Sequence, residues 1–206
     1  MYSALIQEGV TNLTAHELLY ILGTVSDEKS TRAAEQLDLP VYDEPQPVLT
    51  AGLTSLYARG MVEVSEEALK LSEVAALAGY VLTGSDTWLE LAFVGEDGID
   101  AGWLVRREHT AILLTPRRLG TFELRILNPE LDGQWLADIA FDFLADRPAA
   151  VFYVTRDRGP GETGLAVRRL EDGTLELSTA PESVTSAPNI EAARDLFRPV
   201  MAEFMS

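Results

Sequence analysis

The sequence predicts an α+β protein in which a winged-helix-like helical segment precedes an antiparallel β-meander with covering helices. Three features predict this class. Helix signals crowd the N-terminal part and end in a helix-glycine-strand transition, the apolar period then switches to two, and later helices follow groups of strands instead of alternating with them.

The first helix starts at "LTAHELLYILG", where Thr14 and Glu17 form a T-x-x-E capping box and Gly23 stops the run. A second helical stretch, "DEKSTRAAEQL", sets Ala33, Ala34 and Leu37 on one side and ends before Pro40. "PVYDEPQP" reads as a proline-rich connector. The third helix, from Val48 to Arg59, carries Leu53, Leu56 and Tyr57 at helical spacing; Gly60 follows as its C′ residue and "MVEV" as a strand. Helix, helix, helix and strand stand in winged-helix order. Ser65 then reads as the cap of a helix "EEALKLSEVAALAG" that Gly79 ends.

From Tyr80 to Leu127 the chain reads as a meander of short strands: "WLELAFV", "GWLVRR", "TAILLT" and "TFELRIL". In the last of these Phe122, Leu124 and Ile126 alternate with Glu123 and Arg125, as one buried and one wet face require. "LDGQWLADIAFDFLAD", from Leu131 to Asp146, is the helix that covers the buried face. "AVFYVTRD", "LAVRRLED" and "TLELST" form further strands, "APESVTSAPN" reads as loop, and Asn189 caps a final helix. In that helix Ala193, Leu196, Phe197, Val200, Met201 and Phe204 share a stripe interrupted by Pro199. The expected division is residues 1–64 as the winged-helix-like segment and 65–206 as the sheet region, or one compact domain.

Composition narrows the function classes. The 206 residues carry 16 basic and 33 acidic side chains, a formal charge of −17, which repels phosphate backbones and anionic lipid surfaces. Through residue 64, Lys29, Arg32 and Arg59 oppose Glu8, Glu17, Asp27, Glu28, Glu35, Asp38, Asp43, Glu44 and Glu63, so three cations against nine acids leave −6. A helix that sits among phosphates normally brings several cations; here "PVLTAGLTSLYARG" brings Arg59 alone. The N-terminal stretch "MYSALIQEGVTN" lacks the features of a secretory signal, and the charge-free run Val74–Ser85 falls short of the roughly 20 apolar residues a spanning helix needs. With no cysteine there is no thiolate chemistry and no disulfide, which fits a cytoplasmic setting.

Candidate chemistry reduces to a few residues. His16 and His109 have no partner motif and read as ordinary surface histidines. Asp138, Asp142 and Asp146 form a row at i, i+4 spacing that reads as a solvated helix face, since no histidine or Glu-x-x-His accompanies it. Gly159 and Gly164 have phosphate-loop spacing, but Leu165 and Ala166 stand where Lys and Ser or Thr are needed, so "GPGETG" reads as a hairpin loop. No cofactor and no metal is expected. Arg106, Arg107, Arg117, Arg118 and Arg125 gather in the meander of an otherwise acidic chain. They read as surface ion pairs or, for Arg106, Arg107, Arg117 and Arg118, as a protein-docking patch. Trp88 and Trp103 read as core, with an exposed pair as the interface alternative.

The stretches "LTAHELLYILG", "LTSLYARGMVEVSEEAL" and "AGWLVRREHTAILLTPRRLGTFELRILNPELDGQWLADIAFDFL" resemble the EspG family of ESX (type VII) secretion-associated proteins of actinobacteria. In that family a helix end of the form L..LRARGLV precedes strands, an LVARRG..AVLA hairpin and a helix. The likeness runs from about Leu13 to Leu144 and contains no catalytic motif; the chain is shorter than typical members. It implies a cytosolic, non-enzymatic chaperone that binds a helical PE–PPE pair without a cofactor. The alternative from the residues is a winged-helix transcriptional regulator with a C-terminal sensing half. An unrecognised hydrolase would need His16 or His109 beside a nucleophile.

Overall fold

The computed structural model describes residues 6–25, 28–65, 68–85, 87–127, 133–156, 163–180 and 183–205. The chain runs β1 (Ile6–Thr14), α1 (Ala15–Gly23), α2 (Glu28–Gln36), α3 (Pro45–Ala58), β2 (Val62–Val64), β3 (Leu69–Leu71) and α4 (Glu73–Gly84). It continues with β4 (Thr87–Gly95), β5 (Gly98–Arg107), β6 (Thr110–Arg117), β7 (Thr121–Leu127) and α5 (Gly133–Ala145). Last come β8 (Val151–Arg156), β9 (Thr163–Arg169), β10 (Leu175–Ala180), β11 (Ser183–Ala187) and α6 (Ile190–Met205). Nine strands form one sheet in the order β1-β7-β6-β5-β4-β8-β9-β10-β11, and β2 pairs with β3 in a separate ribbon. The α+β class and the central meander are as the sequence predicts.

Contacts divide the chain into two compact units, one of Glu8–Asp86 with Val105–Ile126 and one of Met1–Gln7, Thr87–Leu104 and Leu127–Ser206. One boundary falls inside β5. In the first unit the capping box is formed as expected: the Glu17 N–H donates to Thr14 Oγ1 at 3.2 Å and the Thr14 N–H donates to Glu17 Oε2 at 2.7 Å. Helix α1 buries Leu18, Ile21 and Leu22. It crosses α3 so closely that a Cβ on Gly52 would lie 2.1 Å from the His16 carbonyl oxygen. Helix α4 buries Ala75, Ala78, Val81 and Leu82.

Several expectations are corrected in this unit. Ser65 caps no helix. Its N–H donates to the Ala68 carbonyl at 2.9 Å and its hydroxyl to the same oxygen, closing a turn into β3. β3 pairs with β2 in the register Val62↔Leu71, Glu63↔Lys70 and Val64↔Leu69, so "ALKL" completes the wing that its helix-forming residues disguise. The cap of α4 is Ser72, whose hydroxyl accepts from the Ala75 N–H. Gly79 does not end that helix, which runs on to Gly84; a Cβ there would meet Ile21 Cγ2 at 3.0 Å, so Gly79 serves packing. Helix α3 begins at Pro45, inside the expected connector, because proline needs no N–H in a first turn. Tyr57, expected on the apolar side of that helix, is exposed.

In the second unit the alternation along β4, β8, β9 and β10 sends Leu89, Leu91, Phe152, Val154, Leu165, Val167, Leu175 and Leu177 into the core. The strands pair antiparallel with Leu91 opposite Val154 and Phe152 opposite Val167. Helix α5 buries Leu136, Ala140, Phe141 and Leu144, and α6 buries Ala193, Phe197 and Met201. Phe141 and Phe197 stack at 6.5 Å between these helices. Asn189 caps α6 as expected, its Oδ1 accepting from the Ala192 N–H at 2.9 Å. Leu196, expected on the buried stripe, is exposed. Besides β3, two strands lie where none was expected: β1, in a stretch read only for targeting, and β11, inside the block read as loop. Among the residues of β1 whose burial is described, Leu13 is buried, and Ala187 alone is buried in β11.

A helical glycine changed to alanine normally gains about 0.5–1 kcal/mol. Gly52→Ala reverses that sign here. Its methyl meets a backbone oxygen that cannot swing away, so urea denaturation should show a loss of about 1–3 kcal/mol.

Candidate functional site

The arginines singled out in the sequence lie on one hairpin but at opposite ends of it. Arg106 and Arg107 close β5 beside the Glu108–His109 turn, whereas Arg117 ends β6 and Arg118 opens the connection to β7. The eight residues of β6 separate the two pairs by about 25 Å at 3.3 Å per residue.

At the first end Arg107 is tightly held. Its guanidinium lies 3.6 Å from the Tyr80 ring centroid, its NH1 donates to the Tyr80 carbonyl at 2.6 Å, and Gly84 supplies the space. The Tyr80 hydroxyl donates to Glu108 at 3.0 Å. That bond to a carboxylate, with some burial, raises the phenol above its usual range. The Arg106 carbonyl accepts from the Ser85 hydroxyl at 2.5 Å. Sequence reading missed Tyr80 as the partner, since helix and strand meet only in the fold.

At the second end Glu123 on β7 binds Arg117 at 3.1 Å and also pairs with Arg125. Burial pushes the Glu123 carboxyl up, but hydrogen bonds from Arg125 and Arg117 outweigh it and hold the group below its ordinary value. Arg118 is exposed. After it, Leu119 is 99 % exposed with φ at 63°, a left-handed conformation that a leucine side chain disfavours, and Gly120 follows at φ 64°. Arg117, Arg118 and Arg125 thus stand with Glu123 at this tip. Leu119 went unread because "TPRRLG" gives only a turn signal; its one clue was a large apolar residue inside that turn.

Among the described residues, the face of α3 that a winged helix would lay on DNA offers no free cation. Arg59 donates twice from NH1 to Glu17, at 2.8 and 2.7 Å, and from NH2 to the Asn12 carbonyl at 2.6 Å. The Ser55 hydroxyl also donates to Glu17 at 2.7 Å. Along the exposed side, Thr50 and Thr54 turn their hydroxyls back onto the carbonyls of Gln46 and Thr50. Glu17 is fully buried. Burial raises its carboxyl, yet the Thr14 N–H, Ser55 and Arg59 together bring it below the ordinary range.

The remaining candidates assemble no chemistry. His16 is exposed and lies 3.2 Å from the Tyr42 hydroxyl, and His109 is exposed on the β5–β6 turn. The aspartates of α5 reach solvent, as expected, and also pair across the helices: Asp138 with Arg198 at 2.6 Å and Asp142 with Arg194 at 2.5 Å, tying α5 to α6. Among the described residues no group of three or more His, Asp or Glu is placed to hold a metal ion. Residues 159–162 of "GPGETG" lie outside the described residues, while Gly164 sits in β9. Trp88 and Trp103 are buried, as a sheet core requires, and do not form an exposed pair. Among the described residues no helix is long and apolar enough to cross a membrane.

An α+β fold with a winged-helix-like segment, a long sheet and arginine-bearing strand ends is the class these elements define. That fold is similar to the type VII secretion system chaperone EspG5 of Mycobacterium tuberculosis, solved in complex with the PE25–PPE41 dimer. The TM-score is 0.63 at 12 % identity, over 96 % of this chain and 95 % of that one. No protein-family model and no curated protein matches the sequence.

Two outcomes follow from this geometry. Glu17 has a depressed folded-state pKa, so its contribution is present above its unfolded value of about 4.3 and is lost as pH falls through the folded value. Glu17→Gln should therefore be about 1–3 kcal/mol less stable near neutral pH, with partial exposure of Arg59 lowering the figure, and the gap should shrink below about pH 4 in urea titrations. Leu119→Asn should raise stability by about 0.5–1 kcal/mol, because asparagine tolerates the left-handed region and no buried area is lost. A loss of stability there would mean that Leu119 contributes packing in the free protein.

Proposed function

We propose that this chain is a non-enzymatic, cytoplasmic protein-binding module of chaperone type that receives a PE–PPE-like helical partner. The observation that carries the reading is the likeness to EspG5 across nearly the whole of both chains. A partner-binding role also agrees with the surface. The β6–β7 tip offers an apolar side chain, Leu119, between Arg118 and a glycine, which suits a partner with an acidic, apolar docking point. Arg117 and Arg118 belong to that contact. Arg106 and Arg107 form a second, separate contact at the other end of β6.

A DNA-reading regulator is the weaker reading. The one arginine of the α3 end is engaged by buried Glu17, and the surrounding segment carries net negative charge. A gel shift with genomic fragments at low salt should show no tight binding that salt abolishes.

Copurification from the native lysate should recover a PE–PPE-type dimer, and the interaction should be reproducible with purified components. Arg117→Glu with Arg118→Glu should then slow association about ten-fold at low salt, with the difference narrowing as salt rises. Failure to recover such a partner overturns the chaperone reading. An unchanged association rate across salt concentrations overturns the placement of the contact.

A further inference from the structure

A groove of about 730 Å³ opens between α1, α2 and α3, well within the range that binds ligands or anchoring side chains. Leu19 and Leu22 of α1, Ala34 of α2, Val48 and Leu49 of α3 and Val41 of the α2–α3 connection give it an apolar wall. Among the described residues its charged lining residues are Glu35 and Asp38; Lys29 and Arg32, the cations of α2, do not line it. Asp43 and Glu44 follow immediately along the connection and are exposed. Val41 is 96 % exposed and Tyr42 37 %, so apolar surface stands at the lip instead of closing over the groove. The lip is held in place: Tyr42 bonds His16 at 3.2 Å. It follows the Asp38 bend, which takes φ 49°.

We propose that this groove is a docking site for a basic amphipathic helix of a protein partner. Two apolar side chains one helical turn apart would fill the trough, and flanking lysines or arginines would meet Glu35 and the exposed Asp43 and Glu44 along the lip. The charge of the lining selects this occupant, since an acidic segment of equal hydrophobicity would place like charges together at the rim. The site goes beyond the chaperone reading and does not depend on it: it lies on the α1–α3 helices, not on the β6–β7 tip, and it calls for a partner of the opposite charge.

The test uses the full chain and a fluorescein-labelled peptide of about 14 residues built from leucine and lysine in an amphipathic helical pattern. Controls are a scrambled peptide of the same composition and one with glutamate for lysine. Anisotropy titrations should show the patterned peptide binding at least about ten-fold more tightly than either control, with affinity falling between about 50 and 300 mM salt. Val41→Asp, at an exposed position that leaves folding intact, should weaken binding about five-fold, and Ala34→Trp should block the trough. Glu35→Lys should weaken binding and flatten its salt dependence. Methyl resonances of Leu19, Leu22, Val48 and Leu49 should shift on peptide addition. Equal binding of the scrambled peptide would mean diffuse attraction to an acidic surface and overturns the proposal. So do the absence of binding, shifts confined to other methyls, or binding indifferent to both Val41→Asp and Ala34→Trp.

Discussion

The N-terminal helices depend on one buried carboxylate. Glu17 lies with none of its side chain exposed and takes hydrogen bonds from the Thr14 N–H, the Ser55 hydroxyl and Arg59. Those donors come from the end of β1, from α3 and from the residue after it, so a single residue joins a helix cap to a tertiary contact. A carboxylate in such a place would be strongly unfavourable alone; three donors, one of them a cation, make it compatible with burial. Arg59 also donates to the Asn12 carbonyl, which fixes where the strand hands over to the helix. Gly52 completes the constraint, because the α1–α3 crossing leaves no room for a side chain against the His16 carbonyl.

Where a local rule decides a structure, the sequence already contains it. Thr14 and Glu17 cap α1, Asn189 caps α6, and the alternation of Phe122, Leu124 and their neighbours makes a strand with Leu124 buried. Where pairing decides, the local signal misleads. "ALKL" is a good helix sequence, yet β2 stands beside it with Glu63 opposite Lys70 and turns it into a wing strand. β1 and β11 stand at the two ends of the nine-stranded order. As edge strands they need to bury little, so neither carries the apolar alternation by which a strand is recognised; Val10 and Val184 are both exposed. Gly79 misled for a related reason. Its small size answers to Ile21 on another helix, a neighbour no local window contains.

The candidate site was legible in charge and not in geometry. Counting arginines locates Arg106, Arg107, Arg117 and Arg118 on one hairpin but says nothing of which are engaged. Tyr80 takes the Arg107 guanidinium across 27 residues of sequence, and Glu123 draws Arg117 and Arg125 together across β6 and β7. The same limit holds for the aspartates on α5, whose partners on α6 lie 52 and 60 residues away. Leu119 shows the converse. It is 99 % exposed at φ 63°, a conformation that belongs to the turn and that no local pattern of apolar residues announces.

A fold shared at 12 % identity is what these constraints permit. A cap needs a hydroxyl and a carboxylate, a strand needs alternation, and a helix crossing needs one small residue; each is a requirement of residue class that many sequences meet. Docking surfaces obey a different rule, because they must match a partner atom by atom and change when the partner changes. Two surfaces are proposed for that role on this chain: an arginine-flanked leucine at the β6–β7 tip and an apolar groove with acidic lining among α1, α2 and α3. In a chain of net −17, steering depends on local potential more than on net charge once salt screens beyond about 10 Å. A partner that engaged the tip would therefore be oriented by it on approach, while the rest of the acidic surface turned other anions away.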